Sequence, residues 1–146
     1  MEMSNKPLGM IVGAMMSAMF RELKRRTYEQ TDTKLTIDQF GLLYAISQNE
    51  HDVIQQDMAD LMMKDKSSIL RMIDSLEEKE LVRRAVDKVD RRRNQIFITK
   101  KGEWTIEQYL NIEFELLEEL LDGLKKEELD TFYNVVNHIK QKAERH

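Results

Sequence analysis

KDKSSILRMIDSLEEKELVRRAVDKVDRRRNQIFIT, residues 64–99, is the stretch whose reading decides the fold. It opens with a short polar turn and continues as a helix ending near Lys79. Leu81, Val82, Ala85 and Val86 then give a first strand, and Gln95-Ile96-Phe97-Ile98 a second. Between them Asp87-Lys88-Val89-Asp90-Arg91-Arg92-Arg93 forms a hairpin loop ending in three consecutive arginines. A helix followed by a basic β-hairpin is the layout of a winged helix-turn-helix. That layout offers DNA one helix for the major groove and an arginine-bearing loop for the minor groove.

The bulk properties are compatible with that reading. A chain of 146 residues, 34% charged and 41% hydrophobic, suits one soluble helical domain. A single proline and five glycines leave little room for long linkers or an all-β fold. The net charge of −4 does not by itself point to nucleic acid, but the charge is segregated. From Arg83 to Arg93 six basic residues stand against Asp87 and Asp90, while the acidic surplus falls elsewhere, notably in Glu113 to Asp130. With no cysteine, disulfides, thiolate metal sites and thiol redox sensing are excluded. No apolar run is long enough to span a bilayer. Met10–Phe20 is apolar, but Gly13 and Ser17 interrupt it, and its charges (Arg21, Lys24, Arg25, Arg26) follow it. A signal peptide has the opposite order, so a helix of the mature chain and a cytoplasmic location are expected.

Along the chain, Leu8, Ile11, Val12, Met15, Met16, Met19, Phe20 and Leu23 recur at three and four. The stripe is wider than a surface helix of a monomer needs, which points to burial by its own domain and by a partner. Its methionines suit core or dimer packing, or alternatively the wall of a ligand cavity. Thr36-Ile37-Asp38-Gln39 has the form of a capping box opening a helix with Phe40, Leu43, Tyr44 and Ile46. His51–Ile54 reads as a turn with a minimal strand. Gln55–Met62 reads as a short helix turning Met58, Ala59, Leu61 and Met62 inward. Asp65 is a fair N-cap for the next helix, which buries Ile69, Met72, Ile73 and Leu76. Thr99 caps a further helix whose Ile106, Leu110, Phe114, Leu117, Leu121 and Leu124 step by three and four. A last helix repeats the rhythm with Leu129, Phe132, Val136, Ile139 and Ala143. Such seams serve packing within a chain or across a two-fold axis. Three apolar-rich terminal helices are more than a small central domain requires, so a homodimer is expected. The expected fold is mainly α with a small β-hairpin wing. Residues 1–146 make one domain, with dimerisation helices at about 5–34 and 100–146 and a DNA-binding lobe at about 35–99.

The second helix of a helix-turn-helix enters the major groove N-terminus first, which singles out the exposed residues of its first two turns. Ser67 and Ser68 suit phosphates or base edges, Arg71 a guanine or a phosphate, and Lys66 a phosphate. Gln55 and Gln56 add uncharged hydrogen-bonders. In the loop Arg91, Arg92 and Arg93 repel one another unless an anion answers them. Asp90 stands two residues before Arg92, placed to orient it for a narrow minor groove.

Four segments together resemble the MarR family of regulators: Asp65–Lys79, Leu81-Val82-Arg83-Arg84, Asp90-Arg91-Arg92, and Ile98-Thr99-Lys100-Lys101-Gly102. The resemblance extends over nearly the whole chain. It implies a winged-helix homodimer whose first and last two helices dimerise. It also implies recognition helices in successive major grooves of a pseudo-palindromic operator, with wings in the flanking minor grooves. By that resemblance Ser67, Ser68 and Arg71 match base- and phosphate-contacting positions, Arg92 the wing arginine and Asp90 its partner. Two residues depart from the pattern: Met63 and Glu80 stand where the family often has glycine. Many members are released from DNA by a small aromatic or phenolic molecule, and by analogy Met15, Met19, Phe40, Tyr44 and Trp104 would line its pocket. The cysteine-dependent peroxide-sensing branch is excluded.

The expected function is therefore sequence-specific binding of double-stranded DNA by a transcriptional regulator, a repressor in most relatives. The alternative is a winged-helix module for protein interaction or non-specific DNA binding. An enzyme is not expected: His51, His138 and His146 lie in three different elements, and no nucleophile elbow, metal spacing or glycine-rich phosphate loop is present. Neither a cofactor nor a metal site is expected.

Overall fold

The computed structural model of the chain describes residues 5–49, 55–86, 88–89 and 94–146. Its elements run α1 (Leu8–Gln30), α2 (Ile37–Gln48), α3 (Gln55–Leu61), α4 (Lys66–Glu78), β1 (Val82–Val86), β2 (Asn94–Ile98), α5 (Lys100–Leu121) and α6 (Lys126–Glu144). The segment His51–Ile54 lies outside the described residues, and with it the minimal strand expected there.

Local polar signals start several helices. The Thr36 hydroxyl accepts from the Gln39 N–H at 3.1 Å, and the Gln39 side chain accepts from the Thr36 N–H at 3.0 Å, completing the capping box of α2. The same Gln39 amide donates to the Ser75 hydroxyl at 3.1 Å, so one cap also ties α2 to α4. Asp65 caps α4 through the Ser68 N–H.

Helices α3 and α4 stop in the same way. The Lys64 N–H reaches back to the Ala59 carbonyl and Met63 N–H to Asp60; Leu81 N–H reaches Leu76 and Glu80 N–H reaches Glu77. These are two Schellman closures, which require a left-handed residue just past the helix end. Met63 (φ 53°) and Glu80 (φ 62°) occupy those positions, so both turns keep the conformation glycine would adopt without having glycine. Leu76 and Leu81, both fully buried, pack in one cluster around the second closure, as this motif favours.

Strands β1 and β2 pair antiparallel with Val82 opposite Ile98 and Val86 opposite Asn94. Val82 and Ile96 turn into a core built with Leu42, Leu43, Ile46, Met58, Ala59, Ile69, Ile73, Leu76, Leu81 and Ile106. Leu42 joins this core although the hydrophobic spacing had not singled it out. Leu61 is a correction: expected inward, it is 61% exposed. Met58, Ala59 and Met62 share one side of the short α3, and 61 is rotated well away from it.

A tight junction joins α4, the sheet and α5. Thr99 donates its N–H to the Leu81 carbonyl at 3.0 Å and its hydroxyl to the Glu80 carbonyl at 2.7 Å. That hydroxyl accepts the Gly102 N–H at 3.0 Å, capping α5. A Cβ on Gly102 would stand 2.2 Å from the Leu81 oxygen and 2.8 Å from Ile98 Cγ1, so only glycine lets the helix approach this closely. Further along α5, the buried Tyr109 donates its hydroxyl to the Thr33 carbonyl at 2.7 Å and accepts the Leu35 N–H at 3.0 Å. It thereby pins the α1–α2 connection.

Backbone contacts divide the chain into two compact units, Met1–Glu113 and Phe114–His146. The second comprises the end of α5 and all of α6, joined by a turn with Gly123 at φ 87°. No residue of α6 is buried, and only Thr27 is buried in α1.

Gly102→Ala is expected to lose about 3 kcal/mol of stability in chemical denaturation, because backbone rather than a flexible side chain stands in the way. Glu80→Gly is expected to gain about 1 kcal/mol in the same assay by relieving a left-handed residue that has a Cβ.

Candidate nucleic-acid interface

Helix α4 is strongly two-sided. Ile69, Ile73 and Leu76 are buried, while Lys66, Ser67, Leu70, Arg71 and Asp74 are exposed. The outward side is tied together at intervals of three. Asp65 accepts both the Ser68 N–H at 2.7 Å and the Ser68 hydroxyl at 3.1 Å, and Arg71 Nη2 donates to that hydroxyl at 3.4 Å. Ser68 is therefore already engaged as a link between the cap and the arginine, leaving Ser67 the more open hydroxyl. Arg71 is held by one bond at the far end of its side chain, which leaves most of its donors free for a carboxyl-like or purine partner.

Hydrogen bonds from the Ser68 N–H and hydroxyl hold the Asp65 carboxyl below the usual carboxylate range, and Arg71 adds to the effect. The sign follows: a depressed folded-state pKa means the cap's contribution is present above the ordinary carboxylate pKa. It is lost as pH falls through the folded value.

The wing strands place Arg83 outward. Lys88 and Val89 of the loop are exposed. Asp90, Arg91, Arg92 and Arg93 lie outside the described residues. Gln55 and Gln56 open α3, and their side chains are likewise outside what is described. Arg84, one of the six basic residues of this segment, turns inward: its guanidinium meets Asp74 at 2.6 Å and Glu77 at 3.4 Å.

The five residues expected to line an effector pocket differ in exposure. Met15, Tyr44 and Trp104 are exposed, and Met19 is half-buried. Phe40 stacks on Tyr109 at 5.1 Å between ring centroids and stands 6.3 Å from Tyr44. Beside Tyr109 lies a cleft of about 330 Å³ lined also by Lys24, Tyr28, Lys34, Gln39 and Lys79. None of the five lines it. Tyr109 had escaped notice because it falls between the helix positions that carry the apolar step, and its partners are distant in sequence.

Among the described residues no group of three histidines, acids or cysteines could hold a metal ion, and no helix is long and apolar enough to cross a membrane.

Comparison with known proteins places this architecture. Residues 35–93 match the MarR family model, spanning α2 to the end of the wing loop. The chain is 28% identical over 105 residues to the transcriptional regulator HosA of Escherichia coli O127:H6, covering 72% of this chain and 77% of that protein. The structure resembles that of MepR from S. aureus in its DNA complex, with a TM-score of 0.81 at 19% identity over 94% of this chain and 99% of that one. It also resembles a mutant E. coli MarR complexed with operator DNA, with a TM-score of 0.78 at 22% identity over 91% and 93% of the two chains. The structural likeness establishes the winged-helix fold, and the sequence match seated on the same lobe is to the MarR family model and to a transcriptional regulator.

Proposed function

We propose that this chain reads a pseudo-palindromic DNA operator as a homodimer and represses transcription from it until a small aromatic or phenolic molecule releases it. The observation that carries the reading is the outward side of α4, where Asp65, Ser68 and Arg71 are bonded in series so that Arg71 is aimed before any ligand arrives. A side chain already ordered loses less entropy on engaging a base edge. Lys66 and Ser67 flank it as phosphate or base contacts, Gln55 and Gln56 extend the same surface, and Arg91, Arg92 and Arg93 supply the wing. Asp90 orients Arg92. That MepR and MarR were each solved bound to DNA supports the same use of this fold here.

The two-fold assembly rests on apolar surface that the single chain leaves uncovered. Leu8, Met10, Ile11 and Val12 of α1 are exposed, as are Phe132, Tyr133, Val136 and Ile139 of α6. Continuous stripes of this kind mark interfaces rather than solvated faces. Release by a small molecule is supported by the cleft beside Tyr109, whose aromatic and cationic lining suits an anionic ring. Met15, Met19, Phe40, Tyr44 and Trp104 remain candidates for the same role in the assembled dimer. Such a ligand acts by favouring one lobe spacing over the one that fits the operator. The expected setting is the cytoplasm and nucleoid of a bacterium or archaeon.

Selection of bound duplexes from a random pool, at about physiological salt, tests the reading. It is expected to return an inverted repeat with half-site centres about one helical turn apart. Recovery of no motif, with binding that vanishes as salt rises, would assign the chain to non-specific DNA or protein binding instead. On the selected duplex Arg71→Ala is expected to cost about 1–3 kcal/mol and to relax preference at one position per half-site. A uniform loss across all sequences would make Arg71 a phosphate contact.

A further inference from the structure

Arg84 lies in the most basic segment of the chain, yet its charge is spent inside the protein. Its guanidinium spans three groups of α4: the Asp74 carboxylate at 2.6 Å, the Glu77 carboxylate at 3.4 Å and the Leu70 carbonyl at 3.4 Å. Its backbone N–H donates to the other Glu77 oxygen at 3.0 Å. Positions 70, 74 and 77 step by four and three, so they form one stripe of the helix, and the arginine lies along it. The side chain is 20% exposed, and its Nε is buried without a hydrogen-bond partner among the described residues. A buried unpaired N–H is costly, so the remaining contacts hold the head group there against that cost.

The mechanical consequence follows from where Arg84 sits. It is the middle residue of β1, opposite Ile96 of β2, and the hairpin continues from this point to the wing tip. A two-stranded hairpin on its own is marginally stable and twists freely. Here the polar contacts of Arg84 fasten it to the helix that presents Arg71, while Val82, two residues earlier, and Ile96, directly opposite, fasten the hairpin to the core.

We propose that Arg84 is a positioning residue which locks the wing to the recognition helix, so that groove-reading helix and wing arginines meet DNA as one rigid piece. This rests on the DNA-binding reading above. Arg84 touches no DNA in this scheme; it acts through the wing. Removing it lets the hairpin swing, which penalises the minor-groove contacts at the operator flanks and leaves the major-groove contacts of α4 in place.

The test is a double-mutant cycle on the selected duplex with Arg84→Met and Arg92→Ala, read by equilibrium binding and by hydroxyl-radical footprinting. Arg84→Met alone is expected to weaken binding about tenfold and to erase protection of the flanking minor grooves while the central protection persists. In the Arg92→Ala background it is expected to add less than a twofold further loss, since the wing contact it served is already gone. Additive losses, a footprint that fades uniformly, or unchanged affinity would each overturn the proposal. So would an Arg92→Ala protein that binds like the parent, because the wing would then have nothing to position. Should Arg84→Met fail to fold, Asp74→Asn combined with Glu77→Gln weakens the same clamp from its half-exposed side, with the same non-additivity expected. Failure of the parent protein to bind any selected duplex would sink the DNA-binding reading itself, a result separable from all of these.

Discussion

The carbonyl of Leu81 is where the winged-helix lobe is held together. It accepts the Thr99 N–H at the end of β2, and it faces the α-carbon of Gly102 so closely that no side chain fits between them. One residue earlier the Glu80 carbonyl takes the Thr99 hydroxyl, and one before that the Lys79 carbonyl takes the Lys101 ammonium at 2.9 Å. Three successive carbonyls past the end of α4 thus receive donors from the start of α5. The exit of α4, both strands and the entry of α5 are fixed at a single place, so a displacement of α5 would be passed to α4 and the hairpin.

From that junction the functional surface is built outward by short polar links. Gln39 completes its own helix cap and spends its remaining amide on Ser75. Asp65 caps α4 and, through Ser68, holds Arg71. Arg84 closes the other side of α4 onto β1. Each link serves a backbone need and ties α4 to a neighbouring group. The hydrophobic core supplies the lobe's cohesion, but these links set the angles between its parts.

What was legible in the sequence was whatever acts within a turn or two of helix. The capping box at Thr36 and Gln39, the Asp65 cap, the buried side of α4 and the two paired strands all follow from neighbours in sequence, and the structure has them. The Leu61 reading failed because a seven-residue helix is too short for its period to reveal which side is covered. Tyr109 was invisible because its partners at Thr33 and Leu35 are 76 and 74 residues away. Arg84 was counted only as one of six basic residues, since nothing in a run of basic residues tells which one folds back on the preceding helix. The family pattern did flag Met63 and Glu80 as departures, but only the backbone shows that the turns kept their shape and accepted the strain.

Those two turns differ in how a lineage could repair them. Every glutamate codon becomes a glycine codon by changing its middle base, whereas the methionine codon shares neither its first nor its second base with glycine. Random point mutation under selection for heat tolerance therefore reaches relief at Glu80 directly, and reaches it at Met63 only through an intermediate residue. The turn inside the helix-turn-helix is genetically the more isolated of the two, and its near-fully exposed methionine is the harder one to replace.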